Sequence, residues 1–341
     1  TAGILDFLHE FKREVFDGKD IFTVAEANGV QPEDLSAWVG ERGVFDMLFE
    51  FSHVNIMFDK GAEIWHRARL YKLSEWKKTL TDSQAATKNS WYPIYFENHD
   101  RPRSINTFFP AGSDKILAAK ALATILFTLR GTPFIYQGEE LGFENAKFDS
   151  IEDYDDISSR GNYELARADG LSDKQAMRFV QKFSRDNART PMQWDNTEHA
   201  GFSETEPWFY VNPNYGRVNV KAQEKDPWSI LNFYRKCLKL RKKSKTLLWG
   251  GYREFFPNDR QIYMYERAYG KTRYLIVCSF ADKPVRVRMP KEYVDRKGRL
   301  VLCNYPRGER EELYRVIKRP DGEQGWFLPY EARVYRVSVT T

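Results

Sequence analysis

Apolar residues at the start of the chain recur at helical spacing, with Ile4, Leu5, Phe7, Leu8, Phe11 and Val15 on one face. Asp17-Gly18 breaks that pattern, and the run Ile21-Phe22-Thr23-Val24-Ala25 follows as a strand. Further short apolar runs predict strands over 44–51, 91–97 and 133–137, while helical periodicity covers 64–73 and 116–129. Strands that alternate with helices in this way imply βα units and a parallel sheet. Four such strands are present, where a closed barrel of this type has eight.

The stretch 138–226 is long and polar, the length at which a connection carries small elements or a function of its own. Asp226-Pro227 then predicts a helix start, with Asp226 as the cap and Pro227 at the first position, running to about Lys243. After Trp249-Gly250-Gly251 the period changes to two. Segments 261–266, 274–280, 285–289 and 333–339 alternate apolar with polar residues between turns rich in Asn, Asp, Gly and Pro. The chain therefore divides into an α/β part, 1–248, with the loop subdomain 138–226, and an all-β antiparallel sandwich, 249–341.

Composition narrows the function classes. The 341 residues are 42% hydrophobic, enough for packed cores. A net charge of +5 arises from 53 basic and 48 acidic residues with no dominant basic block, so nucleic acid is not an expected partner. No run approaches the ~18 apolar residues of a membrane span. Cys237, Cys278 and Cys303 are odd in number and widely spaced, which argues against a disulfide framework or a zinc site and favours a reducing, cytoplasmic location. The start Thr1-Ala2-Gly3 has no Met and enters a helical pattern directly, so the natural beginning is expected to lie upstream. Aromatic residues make up 15%, a content that fits sugar stacking as well as core filling.

Candidate chemistry sits where two of the apolar runs stop. The first ends in Glu26 and turns tightly through Ala27-Asn28-Gly29; the third ends in Glu97-Asn98-His99-Asp100. Carboxylates at the carboxyl ends of separate buried strands suit glycoside-bond chemistry, and partial burial of Glu26 would raise its pKa for acid work. Three adjacent hydrogen-bonding side chains at a strand end, Asn98, His99 and Asp100, call for something polar to bind there.

Thr23-Val24-Ala25-Glu26-Ala27-Asn28-Gly29, Asn98-His99-Asp100-Arg101-Pro102-Arg103, the segment from Gly131 to Glu140 and the segment from Arg185 to Trp194 resemble the oligo-1,6-glucosidase branch of the alpha-amylase clan. The resemblance runs in order along the chain and extends to Ala200-Gly201-Phe202 and Val211-Asn212-Pro213-Asn214-Tyr215. It implies a TIM barrel with a C-terminal β-sandwich, of which this chain would hold the C-terminal half of the barrel, from the helix after strand four, and the sandwich.

The resemblance also implies roles. Glu26 matches the general acid/base, Asp100 the stabiliser of the oxocarbenium-like transition state, and His99, with Asn98 beside it, a contact to glucose hydroxyls. Arg185 matches the arginine that holds the non-reducing end of the substrate. Arg103 and Arg189 are further candidates, and Glu139 and Glu140 read as local scaffold. No metal or cofactor is implied, and the substrate would be a short oligosaccharide.

In such retaining enzymes an Asp on strand four, in a Gly-Phe-Arg-x-Asp type motif, forms the covalent intermediate. No such motif occurs here, and Asp6, Asp17 and Asp20 flank or cap the first helix. The nucleophile, and the Asp that pairs with the substrate-holding arginine, would then lie upstream, and the first half of the barrel would be the intramolecular partner. The expected function is a retaining α-glucosidase, incomplete as this chain stands. The competing readings are a sucrose isomerase or trehalose-forming transglucosidase, and a non-catalytic carbohydrate-binding or assembly module.

Overall fold

The structure is a computed structural model, and it describes residues 3–59, 63–293, 298–306 and 324–338. Helix α1 (Ile4–Phe11) runs on through a wider turn to Phe16 and leads into β1 (Val24–Glu26). After the single-turn helix α2 (Leu35–Trp38), β2 (Met47–Phe49) lies parallel to β1 with Glu26 opposite Phe49. Helix α3 (Leu73–Ala86) leads to β3 (Pro93–Ile94). The single-turn helix α4 (Ser104–Thr107) and α5 (Lys115–Thr128) then precede β4 (Thr132–Pro133), parallel to β3.

These strands are shorter than the apolar runs that predicted them. A run continues past its strand wherever the chain leaves the ladder but stays buried, as at Tyr95 and Phe96, each no more than 2% exposed. The helix expected over 64–73 is absent; only one tight turn, Trp65–Arg67, forms there. The helical face belongs to α3, whose Leu73, Trp76 and Leu80 point into the core at helical spacing.

The long polar stretch carries α6 (Ile157–Ala168), α7 (Asp173–Phe183) and α8 (Val220–Lys225). Asp156 caps α6 through the amides of Ser158 and Ser159, and Ser172 with Gln175 forms a reciprocal capping box on α7. Helix α9 (Ile230–Lys242) starts later than its Asp-Pro signal: Ser229 is the cap, and Asp226 instead accepts from the Trp228 amide in the preceding turn. A short α10 (Lys245–Trp249) follows.

The remainder forms a five-stranded antiparallel sheet in the order β5 (Gly251–Phe255), β6 (Ile262–Tyr269), β7 (Thr272–Ser279), β11 (Ala332–Ser338), β9 (Gly298–Cys303). A second antiparallel pair joins β8 (Val285–Arg288) to β10 (Gln324–Phe327). The expected end of the last strand at Val339 lies outside the described residues.

Period-two alternation sets which face of the sheet meets which neighbour. Tyr263, Tyr265, Tyr274, Ile276 and Cys278 pack with the buried side chains of α3, α5 and α9. Ile262, Met264, Leu275 and Val277 pack instead against Val287 and Phe327 of the second pair. Helix α5 is buried along nearly its whole length, consistent with its almost uninterrupted apolar sequence. Polar ties cross the same boundary: the buried Lys77 ammonium of α3 donates to the carbonyls of Phe256, Asp259 and Ile262 at 2.9–3.0 Å, and Arg267 donates to the Thr128 carbonyl at 2.6 Å. Among the described residues, no helix is long and apolar enough to cross a membrane.

Candidate active site

Glu26 closes β1, and the ladder continues one step beyond it through the Ala27 amide to the Phe49 carbonyl at 3.1 Å. That register leaves the Glu26 carboxyl at the strand end, exposed rather than partly buried as the sequence suggested. Asp100 lies beyond β3, in a turn that Asn98 makes by accepting from the Asp100 amide at 2.8 Å. Both carboxylates line one cleft of about 350 Å3, with Arg101, Arg185 and the rings of Phe51, Phe58, Trp65, Phe96 and Phe183 in its walls.

Arginines surround Asp100. Its Oδ1 accepts from Arg189 Nη2 at 2.9 Å and from Arg185 Nη1 at 3.4 Å, and His99 Nε2 lies 3.5 Å from Oδ2. Arg189 also donates through Nε to the His99 carbonyl at 3.0 Å, which fixes the backbone of the same turn. Arg185 is gripped from behind by the buried Asp156, to which its Nε donates at 2.9 Å and its Nη2 also donates. Burial opposes charge on Asp156, but hydrogen bonds from Arg185 and from the Ser158 amide prevail and hold its carboxyl below the usual range. The same pair raises the pKa of Arg185, so the contact is fully ionic.

Among the described residues, Asp156 and Asp100 hold Arg185. Asp156 could have been suspected from its Asp-x-x-Ser cap pattern, but its second role depends on the approach of the 185–189 segment. Arg103, a further candidate in the sequence, stands outside the cleft. It is wholly buried, donating to Glu97 at 2.8 Å, to the Gln137 carbonyl at 2.7 Å and to the Ala188 carbonyl at 3.3 Å, and it does not line the cleft. Asn98 spends its side-chain oxygen on the turn, and His99 is largely exposed beside the cleft. Glu139 is buried, accepting from the Tyr136 amide and the Tyr234 hydroxyl, with its carboxyl pushed well up by burial.

Below the cleft lies a buried polar cluster that sequence reading missed. Glu50, wholly buried after β2, accepts from the Tyr92 hydroxyl at 2.6 Å, Ser83 Oγ at 3.1 Å and the Ser52 amide at 2.6 Å, and meets His53 Nδ1 at 3.4 Å. His53 Nε2 bonds the Tyr95 carbonyl at 2.7 Å, and the Tyr95 hydroxyl donates back to the Glu50 carbonyl at 2.7 Å. Burial pushes the Glu50 carboxyl up, yet His53 and the other partners outweigh it and bring the value down to about 2. The cluster ties the chain after β2 to β3, the strand that delivers Asn98, His99 and Asp100.

A polar cleft at the carboxyl ends of parallel strands, walled by carboxylates, arginines and aromatic rings, places the molecule in the class of α/β proteins with a strand-end cleft. Residues 2–250 match the alpha amylase catalytic-domain model, and the chain belongs to the alpha-amylase family. It is 38% identical over 335 residues to an oligo-1,6-glucosidase of Parageobacillus thermoglucosidasius, covering 97% of this chain and 58% of that protein. It is 34% identical over 305 residues to trehalose-6-phosphate hydrolase of Escherichia coli, covering 88% of this chain and 54% of that protein. Among solved structures, isomaltulose synthase from Klebsiella sp. LX3 superposes with a TM-score of 0.87 at 31% identity, covering 98% of this chain and 59% of that one. The chain thus spans somewhat more than half the length of the curated relatives it matches, and its fold is of the alpha-amylase type.

Proposed function

We propose that this chain supplies two of the three carboxylates of a retaining α-glucosidase acting on short α-glucosides such as isomalto-oligosaccharides. Glu26 is the general acid/base, and Asp100 stabilises the positive charge that develops at the anomeric carbon. The observation that carries this reading is the convergence of Glu26, Asp100 and Arg185 on one aromatic-walled cleft. Asp156 restrains Arg185 so that it can bind a sugar hydroxyl without first being ordered.

The nucleophile belongs to a strand-four motif that this sequence does not contain, so the four parallel strands form the second half of the barrel and the first four βα units are their partner. Two features support this. Among the described residues, β1 pairs only with β2 and β4 only with β3, leaving an outer edge on each. Ile21, Phe22 and Val24 beside the first edge, Phe7 and Phe11 on α1, and Ile135 beside the second are exposed apolar side chains.

Glucose release from isomaltose and from an aryl α-glucoside tests the proposal. The chain alone should fall about 10⁴-fold or more below the completed barrel, because one member of a covalent catalytic set is missing; normal turnover by the chain alone refutes the assignment. Likeness to isomaltulose synthase favours a second reading, sucrose isomerisation. Product analysis on sucrose separates the two, isomerised disaccharide against free glucose and fructose.

A further inference from the structure

The segment that brings Arg185 and Arg189 to Asp100 is tied to the rest of the molecule at one carbonyl. Arg185–Ala188 forms a single helical turn capped by Ser184, whose Oγ accepts from the Asp186 amide at 3.1 Å. The Ala188 carbonyl at its end receives two side chains from elsewhere: the Tyr136 hydroxyl donates to it at 3.0 Å and Arg103 Nη2 at 3.3 Å. Tyr136 follows β4 and is itself well fixed. Its amide donates to the buried Glu139 carboxyl at 3.2 Å, its carbonyl accepts from the Glu139 amide at 3.0 Å, and its ring centroid lies 5.3 Å from the Arg103 guanidinium.

The two arginines are backed differently, which gives this tie its importance. Asp156 grips Arg185 from behind, independently of Asp100. Arg189 instead braces the turn that it positions, through the His99 carbonyl and Asp100 Oδ1. Among the described residues its other carboxylate neighbour is Asp186, 3.7 Å away within its own segment. A contact between two movable parts fixes neither of them unless one is held by the surrounding frame. The Ala188 carbonyl, next to Arg189 in the chain, has such a hold: it is bonded to the segment after β4 and to the buried Glu97–Arg103 pair.

We propose that Tyr136 is a positioning residue: its hydroxyl holds the Ala188 carbonyl, and through it the Arg189 backbone, so that Arg189 keeps Asp100 and the His99 carbonyl in register with the cleft. Tyr136 does not itself line that cleft. The kinetic consequence rests on the α-glucosidase reading, to which Tyr136 adds a group that touches no substrate. Asp100 acts on charge that develops only in the transition state, so its misplacement should appear in kcat rather than in KM.

Tyr136→Phe removes the hydroxyl and keeps the ring beside Arg103. Arg103 still donates to the Ala188 carbonyl, so no buried acceptor is orphaned and the melting temperature should stay within about 4 °C of the unsubstituted protein. In the protein completed with its first four βα units, kcat on isomaltose and on p-nitrophenyl α-glucoside should fall about tenfold, with KM changed less than about twofold. Added to Arg189→Lys, the same substitution should lower kcat less than about twofold further, because both changes act through one contact. Exchange of the Arg189 Nε–H, which the His99 carbonyl accepts, is read by NMR on 15N-arginine-labelled protein. It should quicken about tenfold or more in Tyr136→Phe, while exchange of the Arg185 Nε–H, held by Asp156, stays within about twofold. A kcat within about twofold of the unsubstituted value, a loss confined to KM, or a full loss on top of Arg189→Lys overturns the inference. Absence of glucose release by the unsubstituted completed protein refutes the α-glucosidase reading instead. The exchange measurement then still decides, since unchanged protection of the Arg189 Nε–H shows that Tyr136 does not position it.

Discussion

Replacing Glu50 by Gln isolates the charge in the cluster beneath the cleft. Gln retains an acceptor for the Tyr92 hydroxyl and Ser83 Oγ but loses the carboxylate that faces His53. In the folded protein the Glu50 carboxyl falls from an ordinary 4.5 to about 2. At about 1.4 kcal/mol per factor of ten, this amounts to roughly 3 kcal/mol of stability at neutral pH. Because the folded value lies below the unfolded one, the contribution is fully present above pH 4.5 and is lost as pH falls through 2. At pH 3 roughly 1.4 kcal/mol should remain, by the same linkage. Urea unfolding of both proteins at pH 7 and pH 3 measures the gap at each pH. A gap under about 1 kcal/mol at pH 7, or one that does not shrink on acidification, would show that Glu50 is not held as a paired carboxylate.

Other substitutions probe the supports of Asp100 and Arg185. Arg103→Met leaves Glu97 buried without its cation and should cost about 3–5 kcal/mol in chemical denaturation, with partial recovery in Arg103→Lys. Asp156→Asn keeps a cap acceptor for α6 but removes the charge that grips Arg185; it should cost about 2 kcal/mol at pH 7. The Asp156 carboxyl is held below its usual range, so that cost should diminish on acidification through the folded value. Gly131→Ala places a Cβ 2.1 Å from the Tyr92 carbonyl oxygen at φ +132°, so thermal melting should show a clear loss of stability even though only a methyl group is added.

Much of the architecture is legible in periodicity alone. The apolar run of α5 and the period-two pattern of β6, β7 and β11 mark their elements closely, because α5, β6 and β7 are mostly buried, β11 is buried at four of its seven residues, and the pattern records burial. Periodicity and element bounds diverge where burial and hydrogen bonding part company. Tyr95 and Phe96 are core residues outside any ladder, and α3 escaped notice because Lys77 interrupts its apolar face, a cation whose partners are carbonyls far along the chain. Helix α9 starts past Asp226-Pro227, which carries the composition of a helix cap, because the hydrogen bond that caps the helix is made by Ser229.

For the site, the sequence by itself determined which residue types stand at the strand ends: Glu26 after one apolar run, and Asn98, His99 and Asp100 after another. These are local consequences of where hydrophobic residues stop. Tertiary structure alone decided what each of the arginines meets. Arg101, Arg103, Arg185 and Arg189 are alike in composition and lie in two short segments, yet one meets Glu63, one is buried on Glu97, one is held by Asp156 and one braces the His99 carbonyl. A guanidinium takes its role from the acceptors that surround it; Glu97 is six residues from Arg103, but Glu63, Asp156 and the His99 carbonyl lie 29 to 90 residues from their arginines and meet them only when the chain packs.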